Sequence, residues 1–143
     1  MLLPPVPVVV EVLETVEIDE PILSICQKLK TFGHAIALDD FQLHGSNASM
    51  IELAEFVKVD FKLCNRDQRQ EIFGCLKNKP IRFVAEKIET AEELEAALDE
   101  GFDLFQGYYF ARPVILSKEK SYVSWFHQIR LRWLSMQGRA RWR

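Results

Sequence analysis

The sequence predicts an α/β fold, and within that class a partial TIM-like (β/α) barrel of about five βα units. Three observations carry this expectation. Five apolar runs, Val6 to Val10, Ala35 to Leu38, Phe56 to Val59, Ile81 to Ala85 and Phe102 to Phe105, are rich in Val, Ile and Phe and read as strands buried on both faces. A helical pattern follows each run, and repeated strand-helix units make a parallel sheet. Each run also ends on an acidic or amide side chain: Glu11, Asp39-Asp40, Asp60, Glu86 and Gln106. In a barrel of parallel strands the carboxyl ends open into one shared crater, so these side chains mark where the chemistry sits.

The connecting helices have their own signals. Asp19-Glu20-Pro21 places a capping carboxylate and an early proline ahead of Ile22, Cys26 and Leu29, with Gly33 as terminator. A second helix is expected from Asn47 to Glu55, burying Met50, Ile51 and Leu53. A third runs from about Asp67 to Leu76 through Ile72 and Phe73, and Pro80 marks entry to the next strand. Thr90-Ala91-Glu92-Glu93 reads as a capping box, followed by Leu94, Ala97 and Leu98 facing inward and by Gly101 at the exit.

Composition bounds the function. The chain has 143 residues, 48% hydrophobic and 27% charged, which suits one globular domain with a sizeable core. No apolar run approaches the roughly 18 residues of a membrane span, and no charged region leads into a cleavable signal, so a cytoplasmic protein is expected. Cys26, Cys64 and Cys75 lack metal-like pairing and read as reduced thiols. Residues 118–143 carry seven Lys/Arg and one Glu against a whole-chain net charge of −3, so the remainder is strongly acidic and unsuited to binding a nucleic-acid polymer. The domain reading is a barrel portion over residues 1–116, an amphipathic helix over 117–137 and a basic, aromatic tail over 138–143. Tyr122, Trp125, Phe126, Ile129 and Trp133 fall on one face of that helix, which reads as a last barrel helix rather than a membrane contact.

The strand-end residues recur at gaps of 28, 19, 28 and 20 positions, counting Glu11, Asp39, Lys58, Glu86 and Gln106, as βα units of roughly 20 to 30 residues require. One acid at a strand end is often only a helix cap; five in series point to a site. Paired Asp39-Asp40 at a low-dielectric mouth call for a neutralising cation or lysine. Oxygen ligands without a His or Cys cluster suit Mg²⁺, Mn²⁺ or Ca²⁺ rather than zinc. Of Lys58 and Asp60, only one is expected to face the barrel interior, and Lys58 is taken as that residue.

Glu11-Val12-Leu13-Glu14, Leu38-Asp39-Asp40-Phe41, Val57-Lys58-Val59-Asp60, Ala85-Glu86-Lys87-Ile88-Glu89-Thr90 and Phe105-Gln106-Gly107-Tyr108-Tyr109-Phe110-Ala111-Arg112-Pro113 resemble, in order and spacing, the successive motifs of EAL domains, the cyclic di-GMP phosphodiesterase family. The similarity spans about residues 2–116. The Leu3-Pro4-Pro5 lead and the Ala-Glu-Lys variant look most like EAL proteins that carry an HDOD-type domain. The resemblance implies hydrolysis of cyclic di-GMP to linear pGpG with Mg²⁺ or Mn²⁺. On that template Glu11 and Asp39 resemble metal ligands and Asp40 a ligand of the second metal. Lys58 resembles the residue that holds or polarises the attacking water, and Glu86 the general base. Glu14, Glu89 and Gln106 look like supporting residues, and Arg112 a candidate phosphate contact.

Departures from the family pattern shape the expectation for the isolated chain. The family's opening strands, one bearing the Glu-Ala-Leu triplet and the next an Asn ligand, have no counterpart here; Glu95-Ala96-Ala97-Leu98 falls inside the capped helix and does not substitute. Gln42-Leu43-His44-Gly45 stands where a Gly-Thr-Gly type loop is usual, and Lys87 replaces a usual glycine beside Glu86. A truncated EAL-type signalling protein, inactive alone, is therefore expected. Its partner would be a second copy of the chain or the missing N-terminal half of the barrel. The alternative is a degenerate module that senses cyclic di-GMP or binds a protein without catalysis.

Overall fold

The computed structural model describes residues 6–111; Arg112, the expected helix over 117–137 and the tail over 138–143 lie outside the described residues. Five parallel strands alternate with helical segments: β1 (Val9–Val12), β2 (Ala35–Leu38), β3 (Phe56–Asp60), β4 (Arg82–Glu86) and β5 (Leu104–Phe105). The strand order in the sheet is the order in the chain. A sheet wound in one direction, without the reversal of a doubly wound fold, is the arrangement of a (β/α) barrel wall.

Helix α1 (Glu20–Thr31) starts as expected, with the Asp19 carboxylate accepting from the Ile22 N–H and Pro21 in the first turn. Gly33 takes a left-handed φ of 83° just beyond its end. Helix α2 (Arg66–Leu76) begins with a reciprocal capping box between Asn65 and Gln68, a signal the sequence carries two residues before the expected start. Helix α3 (Ala91–Glu100) has the expected Thr90–Glu93 box and ends on Gly101 at φ 94°. Glu95-Ala96-Ala97-Leu98 lies within it, away from any strand end.

Three expectations are corrected. The helix anticipated over Asn47 to Glu55 is a short 3₁₀ helix, Ser46–Met50, followed by tight turns in which Leu53 N–H donates to Met50 O and Ala54 N–H to Ile51 O. Its apolar spacing is real, since Met50 is fully buried, but Asn47 is fully buried too and its amide donates to the Asp39 carbonyl, which holds the segment in the tighter winding. The last strand has two residues rather than four. Phe102 N–H still donates to Ala97 O of α3, so pairing begins only beyond it, where Asp103 N–H donates to Phe83 O of β4. Finally, β1 is not buried on both faces: Val9 is 39% exposed and, among the described residues, the strand pairs on one side, with β2.

The core lies between sheet and helices. Phe73 of α2 packs on Phe83 of β4 at 4.2 Å between ring centroids and edge-on to Phe102 at 4.9 Å. Arg69 of α2 and Glu100 of α3 form a buried two-pronged ion pair at 2.6 and 2.7 Å, with the guanidinium 3.8 Å over the Phe61 ring. No helix among the described residues is long and apolar enough to cross a membrane.

The register then decides which side chains meet. Parallel neighbours opposite one another share a face, and residues two apart in a strand share it as well. Glu11 stands opposite Ala37, Leu38 opposite Val57, Lys58 opposite Val84 and Asp60 opposite Glu86. With Phe83 on the helix side, Val84 and Glu86 are on the other, and so are Lys58, Asp60, Ala37 and Glu11. The expectation that only one of Lys58 and Asp60 can face inward is therefore wrong, because a spacing of two preserves the face.

Gly107 closes the strand ends. A Cβ there would sit 2.1 Å from the Ile88 carbonyl oxygen and 2.3 Å from its nitrogen, and Ile88 N–H donates to Gln106 O across the same turn. Gly107→Ala should lower unfolding free energy in urea titrations by about 3 kcal/mol. Gly74→Ala, in open space within α2, should raise it by about 0.7 kcal/mol.

Candidate functional site

Four strands deliver one cluster. Lys58, in the centre of β3, is 7% exposed in its side chain and extends its ammonium to Glu11 Oε1 at 3.0 Å, Asp39 Oδ1 at 2.5 Å and Glu86 Oε1 at 2.8 Å. These carboxylates come from β1, from the residue after β2 and from the last residue of β4. Asp39 is held by two backbone ties, its N–H to Val12 O and its carbonyl accepting from the Asn47 amide at 2.9 Å. The sequence reading missed Asn47, and nothing local marks it, because its role appears only when the loop folds back under β2.

Three carboxylates around one ammonium leave a formal excess of two negative charges. Burial alone would lower the Lys58 pKa, but its hydrogen bonds to Asp39, Glu86 and Glu11 outweigh burial and hold it above the ordinary lysine range. Lys58 stays charged. Glu86 goes the other way: burial, reinforced by the negative charge of Asp39, overcomes the stabilising Lys58 bond and pushes its carboxyl up to about 7. A group poised there can take and release a proton near neutral pH.

A second set of groups lies beside the first. Asp60, 3% exposed in its side chain, accepts from the Lys62 and Leu63 backbone N–H groups at 2.8 and 3.1 Å and pairs with the Lys87 ammonium. Burial opposes ionisation of Asp60, yet the Lys87 bond and the two backbone donors hold its pKa below the usual value. Lys87 also approaches Asp40 Oδ1 at 3.7 Å. Asp40 and Lys87 both take left-handed backbone, at φ 41° and 59°, the non-glycine residues that do so among those described. Lys87 stands out in the sequence only as a departure from the family pattern, and the signal for Asp60 is its i, i+2 spacing from Lys58.

The remaining site candidates divide. Glu14, Asp39 and Asp40 bring one carboxylate oxygen each to within 4.8 Å of one another. Asp40 Oδ1 is buried and accepts no hydrogen bond. An orphaned carboxylate oxygen among hard donors fits a Mg²⁺, Mn²⁺ or Ca²⁺ ion. Glu14 rather than Glu11 thus groups with the aspartates, while Glu11 turns to Lys58. Glu89 is drawn to the rim, 2.8 Å from Lys62. Gln106 sits half-buried at the end of β5, its backbone bonded to Ala85 and Ile88.

A parallel wall of (β/α) type with its carboxylates at the carboxyl strand ends is the arrangement of a (β/α) barrel crater. The EAL domain model matches residues 2–113, and the chain belongs to the EAL domain family. It is 36% identical over 121 residues to the uncharacterized protein YuxH of Bacillus subtilis, covering 79% of this chain and 29% of that one. It is 35% identical over 129 residues to the cyclic di-GMP phosphodiesterase CdgJ of Vibrio cholerae, covering 89% and 29%. Among solved structures, Klebsiella pneumoniae BlrP1 in its manganese and cyclic di-GMP complex is 28% identical with a TM-score of 0.63, covering 78% of this chain and 31% of that one. Bacillus subtilis YkuI, an EAL-domain protein in complex with cyclic di-GMP and calcium, is 25% identical with a TM-score of 0.63, covering 76% and 29%. The chain spans less than a third of the length of the curated relatives it matches.

Lys58→Met removes the one ammonium that three carboxylates share. We expect a loss of about 3 kcal/mol in unfolding free energy at pH 8. The loss should shrink at pH 5, where Glu86 is protonated and one fewer charge is left unpaired. Urea denaturation at the two pH values measures both.

Proposed function

We propose that the strand-end cluster is the Lys58–Glu86 portion of a metal-dependent phosphodiesterase site that hydrolyses cyclic di-GMP to pGpG. The observation that carries this reading is the Lys58 ammonium gathered against Glu11, Asp39 and Glu86, with Glu86 held near pH 7. Membership of the EAL family and similarity to CdgJ supply the substrate class.

In this reading Asp39, Asp40 and Glu14 would hold Mg²⁺ or Mn²⁺, with Glu11, paired with Lys58, as a further candidate ligand beside them. Such a cation would lower the pKa of water and stabilise negative charge on the phosphate. Glu86, when ionised, accepts the proton of the attacking water. The water oxygen forms the new bond to phosphorus, the bond from phosphorus to the ribose 3′ oxygen breaks, and that oxygen takes a proton from solvent while Glu86 releases to solvent the proton it accepted. Lys58, fixed and charged, orients the water and offsets charge growing on the phosphoryl oxygens. Glu89 and Gln106 support the rim, and Arg112, proposed as a phosphate contact, lies outside the described residues.

The family's Glu-Ala-Leu and Asn strand motifs are not among these 143 residues. β1 and β5 each pair on one side among the described residues, and such edges accept further strands, from another polypeptide or a second copy. The three free cysteines fit a reducing, cytoplasmic compartment. A second reading, nucleotide sensing without turnover, is favoured by one observation: Lys87 already neutralises Asp60 and approaches Asp40.

The test follows pGpG release chromatographically with Mg²⁺ or Mn²⁺, for the chain alone and with a polypeptide supplying the two absent motifs. Turnover is expected in the completed barrel, reduced at least about 100-fold by Glu86→Gln. Because the base must be ionised, the rate should fall toward acid pH, roughly tenfold per pH unit once Glu86 is protonated. Undiminished hydrolysis in Glu86→Gln contradicts the assigned base. Nucleotide binding by calorimetry without hydrolysis in the completed barrel selects the sensing reading.

A further inference from the structure

The geometry points to Lys87 as the residue that sets the cation content of this site, its ammonium standing in for a second divalent ion between Asp40 and Asp60. The inference rests on the proposed metal-binding role of Asp39 and Asp40 and concerns only how many cations, and how tightly, the carboxylates take.

Four observations support it. The Lys87 ammonium is paired with Asp60 Oδ2 and lies 3.7 Å from Asp40 Oδ1, so one monovalent cation spans two carboxylates from different strand ends. Asp60 is built as an anion: its carboxylate is buried, receives two backbone N–H groups and takes its counter-charge from Lys87. Asp40 Oδ1 has no hydrogen bond of its own and is reached by Lys87 only at ion-pair distance, which leaves it short of positive charge. Lys87 is held at φ 59°, where glycine would make the turn without steric cost, so what the lysine brings to this position is its side chain.

The consequence is electrostatic. A unit charge and a double charge a few ångströms apart repel enough, even with water-like screening, to weaken cation binding by more than about tenfold. Lys58 does not offer the same control, because its ammonium is committed to Glu11, Asp39 and Glu86. Lys87 is half exposed on its way to Asp60, and when it is removed Asp60 keeps its two backbone N–H donors.

The experiment is a Mn²⁺ titration of the 143-residue chain, free ion being read by its paramagnetic resonance signal. Wild type, Lys87→Gly and Lys87→Asn are compared; both replacements tolerate left-handed backbone and are uncharged. Lys62→Ala, which removes a rim lysine paired with Glu89, controls for net charge. Both Lys87 variants should bind Mn²⁺ at least about tenfold more tightly or take up a second equivalent, while Lys62→Ala stays within about twofold of wild type. Equal stoichiometry and affinity in wild type and both Lys87 variants, or an equal gain in Lys62→Ala, overturns the inference and leaves the metal reading standing. Absence of Mn²⁺ binding in every form overturns the metal reading and the inference together.

Discussion

A buried lysine surrounded by carboxylates is stable only if the carboxylates come to it, and the rest of this structure can be understood as the means of bringing them. Lys58 stands on the central strand of the sheet, with β2 on one side and β4 on the other. Glu11 reaches it across β2 because the β1 register places Glu11 on the same face, and Glu86 reaches it because β4 ends level with β3. A slip of one residue in either pairing would turn these side chains to the helix side and leave the ammonium buried without a partner, a state that costs several kcal/mol. The packing of Phe73 on Phe83, the Arg69–Glu100 pair and the close approach at Gly107 oppose such slips.

The same arrangement creates the chemistry. Three acids cannot all be satisfied by one ammonium, so the most buried of them, Glu86, keeps its proton to higher pH, while Asp39 and Asp40 retain capacity for a further cation. Lys87 answers part of that demand from the next position along the chain, turning back on left-handed backbone to meet Asp60. Two lysines thus divide the acidic rim: Lys58 serves Glu11, Asp39 and Glu86, and Lys87 serves Asp60 and Asp40.

Much of this was legible in the residues. Apolar runs leading to Asp39, Asp60 and Glu86 located β2, β3 and β4, because strands of this kind depend on local composition and chain punctuation, whereas β1 is shifted to Val9–Val12 and takes in Glu11, and the shared face of Lys58 and Asp60 was not recognised. The caps at Asp19 and Thr90 were readable for the same reason, and the Asn65–Gln68 box was present though overlooked. What escaped depends on contacts distant in sequence. The 3₁₀ winding after Gly45 follows from Asn47 reaching Asp39, and the shortness of β5 from Phe102 bonding back to α3. Lys87 could be seen as unusual beside Glu86, but its pairing with Asp60 required the register and the sign of one φ angle.

The central claim is that one ammonium shared among three carboxylates leaves Glu86 as a proton acceptor poised near neutrality. The most direct test is the ¹³C side-chain carboxyl titration of Glu86 by NMR in the metal-free chain, assigned by comparison with Glu86→Gln. A midpoint at about 7 is expected. A midpoint at about 4.3, the ordinary value for glutamate, would mean that Glu86 is neither desolvated nor crowded by Asp39, and would contradict the account.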